Sequence, residues 1–276
     1  MSAKKKILAV LVNYGDEQIS YLERVVNELN SFENYDTTIV VNSNIPLELP
    51  NVETVNVITL DNYQYLPLTC RKVIWDNKDN YDIFIYGEND HLFKEHHVDK
   101  HIEYSKLLPN DRITGLIQYE EDPQGNKYYP GYHADFEWDY NSVERHGNKV
   151  FAHFSNVHQA TFIITKDELL RVGEVFNFNE LVKVKRPNAL VRLVNKIKKA
   201  LNMPYFKVKE YSVKCKVNTD VYEYANMKKL ICISEFEDNL IHHLPNLYIE
   251  GNLGRTKQRS EDDKMKAAVK KLLKIA

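Results

Sequence analysis

Ile7-Leu8-Ala9-Val10-Leu11-Val12 runs directly into Asn13-Tyr14-Gly15-Asp16, and this junction decides how the chain is read. Six consecutive apolar side chains are the pattern of a strand covered on both faces, because successive residues point to opposite sides. The preceding Met1-Ser2-Ala3-Lys4-Lys5-Lys6 gives the segment the look of a secretory leader. The apolar run is short for that role and the polar break comes at once, so the expectation is a buried first strand.

Outward from this strand the first hundred residues alternate. Ile19, Leu22, Val25, Val26 and Leu29 have helical spacing. Thr37–Val41 is β-branched or apolar throughout and ends in the turn cluster Asn42-Ser43-Asn44. Val52–Leu60 predicts a third strand and Leu68–Asn77 a helix. Tyr81–Tyr86 predicts a fourth strand that enters Gly87-Glu88-Asn89-Asp90. Strands separated by helices imply a parallel sheet with right-handed crossovers, and such sheets bind ligands at their carboxyl ends.

From residue 111 the pattern changes. Ile113–Tyr119, Val150–Phe154 and Thr161–Thr165 predict strands, separated by a loop rich in Tyr, Gly and acids. Residues 181–216 carry eleven Lys or Arg against the single acid Glu210, and Pro187–Leu201 within them predicts a helix. A second basic amphipathic helix is predicted at the C-terminus, capped by Ser260-Glu261-Asp262-Asp263, with Met265, Val269, Leu272, Leu273 and Ile275 among lysines. Either basic helix could lie on an anionic membrane surface; packing on the domain is the plainer alternative.

Composition sets the outer bounds. The chain has 276 residues, 43% hydrophobic and 28% charged, with a formal net charge of −2. Those values exclude a disordered or fibrous class, and the absence of a global basic field argues against nucleic acid as a partner. Cys70, Cys215 and Cys232 are too scattered for a disulfide framework or a metal knuckle. No stretch approaches the ~20 apolar residues of a membrane span. A cytoplasmic location, peripheral at the inner membrane face if the basic helices bind lipid, is the expectation.

Glu88 and Asp90 stand two residues apart just past a buried strand. Carboxylates so placed can face one pocket, and hard oxygen donors suit Mg²⁺ or Mn²⁺. A solvated acidic turn is the bland alternative. Taken in order, Val12-Asn13-Tyr14, Val41-Asn42-Ser43-Asn44, Cys70-Arg71-Lys72 and Phe84-Ile85-Tyr86-Gly87-Glu88-Asn89-Asp90 resemble the nucleotide-binding half of a GT-A fold glycosyltransferase of the family-2-like group. Glu88 stands where that family's DxD motif has its first Asp.

The resemblance implies one α/β domain over residues 1–276 with a mostly parallel, Rossmann-like central sheet flanked by helices. Residues 1–110 would bind the nucleotide sugar. Residues 111–250 would bind the acceptor and hold the basic insertion 181–216, and residues 251–276 would form the terminal helix. The implied activity is hexosyl transfer from a nucleotide sugar, UDP-linked by expectation, to a saccharide or lipid-linked saccharide in surface polysaccharide synthesis. Asn13, Tyr14 and Asn42 would hold base and ribose, with Arg71 near the pyrophosphate or base. Asp90 would ligate Mn²⁺ or Mg²⁺, Glu88 would reach ribose or metal, and His243 or His242 would complete the metal site. If transfer inverts the anomeric centre, Asp238, paired with Glu237, would be the base that deprotonates the acceptor, with Asp220, Glu223 and Glu235 as the other candidates; a retaining transfer needs no such base.

Other readings compete. His91, His96, His97 and His101 crowd one segment, with His97 and His101 at a metal-clamping spacing. Without a Glu in HExxH position, a solvated helix face is favoured over a zinc hydrolase. Glu120-Glu121-Asp122 through Trp138-Asp139-Tyr140 is either a sugar-binding loop or a surface loop anchored by aromatics. A sugar nucleotidyltransferase would share the sheet and the metal, but its basic Gly-rich loop is missing after Val12. A non-catalytic module built on the basic island would need neither acidic motif.

Overall fold

Strand β1 (Lys5–Asn13) pairs in parallel with β2 (Tyr35–Ser43) on one edge and β4 (Ile83–Glu88) on the other. In this computed structural model, which describes residues 3–130, 138–183, 194–198, 211–249 and 259–276, β3 (Thr54–Val57) extends the sheet beyond β2. The fifth strand, β11 (Thr161–Thr165), adds antiparallel to β4, giving the order β11-β4-β1-β2-β3.

Both faces of β1 are buried, as its unbroken apolar run requires. Ile7, Ala9 and Leu11 face one core with Leu22, Val25, Val26 and Leu29 of helix α1 (Ile19–Asn30). The N-terminal end of α1 has no side-chain cap, although Ser31 Oγ donates to the Glu28 carbonyl (2.7 Å) at its other end, so its apolar stripe chiefly holds it, each buried side chain contributing about 1.5–3 kcal/mol. Leu8, Val10 and Val12 face the opposite core with Leu66, Cys70 and Ile74 of helix α2 (Leu66–Asp76). Leu169 and Val172 of α4 (Lys166–Val175) join that core, as do Val217 and Val221 of α5 (Val213–Glu223). Between α2 and α4 in sequence lies α3 (Glu95–Leu107), whose Val98 belongs to the first core.

Two further sheets follow. One has the order β6-β12-β10-β9, from β6 (Arg112–Thr114), β9 (Trp138–His146), β10 (Lys149–Phe154) and β12 (Lys228–Cys232). The other runs β14-β8-β7-β13-β5, from β5 (His91–Leu92), β7 (Ile117–Glu121), β8 (Lys127–Pro130), β13 (Leu240–His243) and β14 (Arg259–Glu261). Both mix parallel and antiparallel pairs. The architecture is therefore mixed α/β with several sheets, and parallel pairing dominates only the first of them.

The strand expected over Ile113–Tyr119 is divided between these sheets at Gly115-Leu116. Leu116 N–H donates to Gln159 Oε1 (2.9 Å), and Lys229 Nζ donates to the Leu116 carbonyl (3.1 Å). Side chains thus satisfy the backbone where no neighbouring strand does. A Cβ at Gly115 would run into the Lys229 stem and Gln159 Oε1, so glycine permits this crossing. The strand expected over Val52–Leu60 shortens to β3, and the remaining expected elements of the first ninety residues move by no more than two residues at their boundaries.

The C-terminal helix α6 (Asp262–Leu273) starts with acids in its first turn, as expected, but Ser260 lies in β14 and does not cap it. Met265, Val269 and Leu272 are buried with Trp138, Phe154, Ile231 and Phe236, so the main apolar stripe packs on the protein and is not free for a membrane surface. Of the basic insertion, residues 184–193 and 199–210 lie outside the described residues, so the predicted helix Pro187–Leu201 is described only at 194–198, which is helical. Among the described residues no helix is long and apolar enough to cross a membrane.

Lys229 is fully buried and its ammonium sits 5.0 Å from the Tyr222 ring centre. Burial lowers its pKa from the usual 10.5 to about 7. Between these values the unfolded chain binds more protons than the folded one, so stability rises with pH across this window. Urea denaturation of wild type and Lys229→Met at pH 6.5 and 9.5 should move the stability difference toward wild type by roughly 1–3 kcal/mol as pH rises. A pH-independent difference would show that the amine is not held in this desolvated state.

Candidate metal site and adjoining cleft

Because β1, β2 and β4 are parallel, their carboxyl ends open on one side. Register sets Val12 beside both Asn42 and Glu88, and Asn13 beside Ser43. Asn13 is wholly buried there. Its Nδ2 donates to the Gly15 carbonyl (2.9 Å) and Ser43 Oγ (3.2 Å), while its Oδ1 accepts from Asn89 Nδ2 (2.7 Å). Asn42 is also buried, donating to Thr69 Oγ1 (2.8 Å) and accepting from Asn56 Nδ2 (2.9 Å). These two amides build the strand ends and leave the exposed surface to Tyr14, whose side chain is 63% accessible.

Tyr14 meets Tyr63 at 5.5 Å between ring centres, and the pair walls a cleft of about 560 Å³. Asp61, Glu88, Asn89 and Lys214 also line it. Burial, reinforced by the negative charge of Asp90, raises the pKa of Glu88. This cleft brings together Tyr14 and Glu88 from the sequence-predicted set.

Immediately past Glu88 and Asn89, the chain turns through Asp90 into β5. His91 is the ladder partner of His243 in the antiparallel β5–β13 pair, and Leu244 N–H donates to the Asp90 carbonyl (2.9 Å). Ligand atoms of Asp90, His91 and His243, all buried, lie within 4.8 Å of one another. Asp90 Oδ1 is 2.7 Å from His91 Nδ1, and Oδ2 is 3.4 Å from His243 Nε2. On its far side, His243 Nδ1 lies 2.7 Å from Glu120 Oε1, whose other oxygen accepts from the N–H groups of Tyr248 (2.8 Å) and Ile249 (3.2 Å).

The electrostatics match the geometry. Burial opposes a charge on His243, yet Asp90 and Glu120 outweigh it and raise the imidazole to about 10. Burial also opposes ionisation of Asp90, but His91 and His243 pull it far below the carboxylate range. The two carboxylates thus favour the His243 imidazolium, and a divalent ion bound here would take the place of its Nε2 proton. Asp90 Oδ1 and His91 Nδ1, though close, make no aligned hydrogen bond. This donor set fits a divalent cation, with Asp90, His91 and His243 as its protein ligands.

The structure corrects several sequence expectations. His242 points away from the cluster, since neighbours on a strand alternate, and it stacks on Tyr119 at 4.8 Å and 17°. Glu88 stays with the cleft and is not among the three clustered ligands. Glu237 and Asp238 precede β13, whereas His243 ends it, so about 10 Å of strand separates the two groups. Asp238 instead pairs with Lys100 (3.3 Å) and Glu237 with Lys127. His97 and His101 are not a solvated face. His97 bonds the Leu240 carbonyl (3.0 Å) and His101 bonds Glu168 (2.7 Å), the latter within the capping box of α4. Trp138 is a core residue that donates to Met265 Sδ (3.3 Å), and residues 131–137 of the proposed sugar-binding loop lie outside the described residues.

Arg71 is the largest displacement from expectation. It is fully buried, donates to the carbonyls of Phe178 and Glu180, lies 3.7 Å from Asp220 and packs over the Phe178 ring at 4.6 Å. It organises the core under the cleft and does not line it. Sequence reasoning left Tyr63 and Lys214 of the cleft out of the site, and placed His91 only among the histidines of a rival hydrolase and Glu120 only in a possible sugar-binding loop. His91 follows Asp90 directly, so adjacency was the available signal; Glu120 had none, because its role comes from a strand pairing across more than a hundred residues.

Comparison with protein-family models finds no match, and neither does comparison with curated proteins.

Arg71→Lys should keep the charge but lose the planar fork that serves two carbonyls and an aromatic face. A loss of about 2–4 kcal/mol in urea denaturation is expected, on the scale for breaking buried charged networks. Ligand affinity of the folded fraction, measured by calorimetry, should stay unchanged; a selective loss of affinity at full stability would return Arg71 to the site.

Proposed function

We propose that the protein is a metal-dependent glycosyltransferase of GT-A type, which transfers a hexose from a nucleotide sugar to a saccharide or lipid-linked saccharide. The observation that carries the reading is the adjacency of the Asp90–His91–His243 cluster to an aromatic- and carboxylate-lined cleft at the carboxyl ends of parallel strands. The order β4-β1-β2-β3, with an antiparallel strand beside β4, supports the same reading. Supporting it too is the cleft chemistry: aromatic faces of Tyr14 and Tyr63 suit a base or a sugar face, and carboxylates suit hydroxyl groups.

In this reading Tyr14 and Tyr63 receive the nucleoside, and the Lys214 ammonium offsets charge on the phosphates. A divalent ion bound by Asp90, His91 and His243 would stabilise the charge that develops on the departing diphosphate. Glu88, which lines the cleft at the end of β4 beside the cluster, is the carboxylate we assign to accept a proton from the acceptor hydroxyl. Asp238 and Glu237 no longer serve as the base, being tied to lysines at the other end of β13.

A thermal-shift panel of UDP-, GDP-, CMP- and dTDP-linked sugars, with and without Mn²⁺, tests the proposal. A cognate donor at about 100 times its Kd stabilises by about 2.7 kcal/mol, which should raise Tm by about 5 °C or more, and only with metal. Asp90→Asn should abolish that shift and the release of nucleoside diphosphate, and Glu88→Gln should lower turnover more than donor binding. If no nucleotide sugar shifts the wild-type Tm or yields free diphosphate, the reading fails.

A further inference from the structure

Strand β7 reaches the metal cluster with two polar side chains. Gln118 and Glu120 are two residues apart on the strand and so share one face of the sheet. Each meets the outer nitrogen of one histidine: the Gln118 amide contacts His91 Nε2, and Glu120 Oε1 contacts His243 Nδ1. The nitrogens left facing Asp90 are His91 Nδ1 and His243 Nε2. Asp90 Oδ1 and His91 Nδ1 are buried and lack an aligned hydrogen bond, and the ligand atoms of Asp90, His91 and His243 lie within 4.8 Å of one another.

We infer that Gln118 and Glu120 lock the tautomers and ring orientations of His91 and His243, building a site that takes Co²⁺ or Zn²⁺ in preference to Mg²⁺. This rests on the metal-site reading and is independent of sugar transfer. A carboxylate that accepts the Nδ1–H of His243 leaves the Nε2 lone pair toward the metal and makes the ring a better donor. Gln118 does the same for His91 when its carbonyl oxygen, exchanged with the amide nitrogen by a half-turn, accepts the Nε2–H. Glu120 is not itself a ligand, since its second oxygen is committed to two backbone N–H groups. Both are positioning residues.

Ion preference follows from the donors. Two imidazoles and one carboxylate make a nitrogen-rich set, which suits later first-row ions. Mg²⁺ favours oxygen ligands and keeps its waters. A site of oxygen donors alone, as Glu88 and Asp90 would have made, carries the opposite preference.

The full chain, stripped with a chelator, is titrated with Co²⁺, Zn²⁺ and Mg²⁺ against a chromophoric competitor, and the Co²⁺ form is examined by visible absorption. No nucleotide sugar is present. One ion per chain is expected, with Co²⁺ and Zn²⁺ bound about tenfold or more tighter than Mg²⁺ and with Co²⁺ ligand-field bands. Glu120→Gln should weaken Co²⁺ about 10–100-fold and move the bands, while His97→Ala should leave both unchanged. Equal affinity for Mg²⁺ and Co²⁺, or an unaltered Co²⁺ affinity and spectrum in folded Glu120→Gln, overturns the inference. Should that variant not fold, the wild-type ion preference decides alone. Binding of no ion removes the inference together with the metal site; selective binding without diphosphate release leaves the inference standing and removes only the transfer reading.

Discussion

β1 is hydrogen-bonded along both edges and buried on both faces, and every feature of the cleft depends on that double constraint. Strand pairing in parallel with β2 and β4 aligns three carboxyl ends, and apolar residues on alternate faces seat α1 on one side and α2 on the other. With the strand fixed, Asn13 can only end within the protein, where it bonds Asn89 and Ser43. That amide link ties the turn bearing Asp90 to the end of β1. The position of the candidate metal ligand is therefore a consequence of how the central strand is held.

A second constraint acts at Gly115-Leu116. Lys229 and Gln159 supply the hydrogen bonds that a continuous strand would have made, and the chain passes from one sheet to the next. The passage aligns β7 beside β13 in parallel, so Glu120 lies against His243. A desolvated amine is the cost of this crossing. Among the described residues Lys229 has no carboxylate within ion-pair distance, and its ammonium meets the Leu116 carbonyl and the face of Tyr222. Loss of one buried lysine would thus act on the geometry of a site built by other strands.

Within the cluster, two carboxylates and two imidazoles balance one another away from water. Asp90 and Glu120 flank His243, and the His91 ring lies tilted against it at 37°, with 4.9 Å between ring centres. Such a group is stable only when its donors and acceptors are matched, because an unpaired charge in a buried site is strongly unfavourable. The cleft beside it is different in kind, with an exposed tyrosine, a lysine and carboxylates available to a ligand. A closed polar cluster beside an open aromatic cleft is a division suited to holding a cation on one side and an organic ligand on the other.

Elements whose neighbours are close along the chain could be read from the residues. Ile7–Val12, Thr37–Val41 and Tyr81–Tyr86 were legible as strands, and Ile19–Leu29 as a helix, because burial on one or two faces imposes a period on adjacent residues. Asp90 and His243 were legible as candidate ligands from residue type and from resemblance. The direction in which polar side chains point depended instead on contacts between distant segments. Arg71 lies on a predicted helix yet turns into the core, where Asp220 and two carbonyls from distant segments compete successfully with solvent. His97 and His101 share a helix face but bond to partners far along the chain, Leu240 and Glu168. The choice of His243 over His242, and the parts given to His91 and Glu120, were set by register between β5, β13 and β7. Local periodicity fixes which residues are apolar-facing, whereas a polar group's partner is chosen by whichever donor or acceptor the folded chain brings within hydrogen-bonding reach.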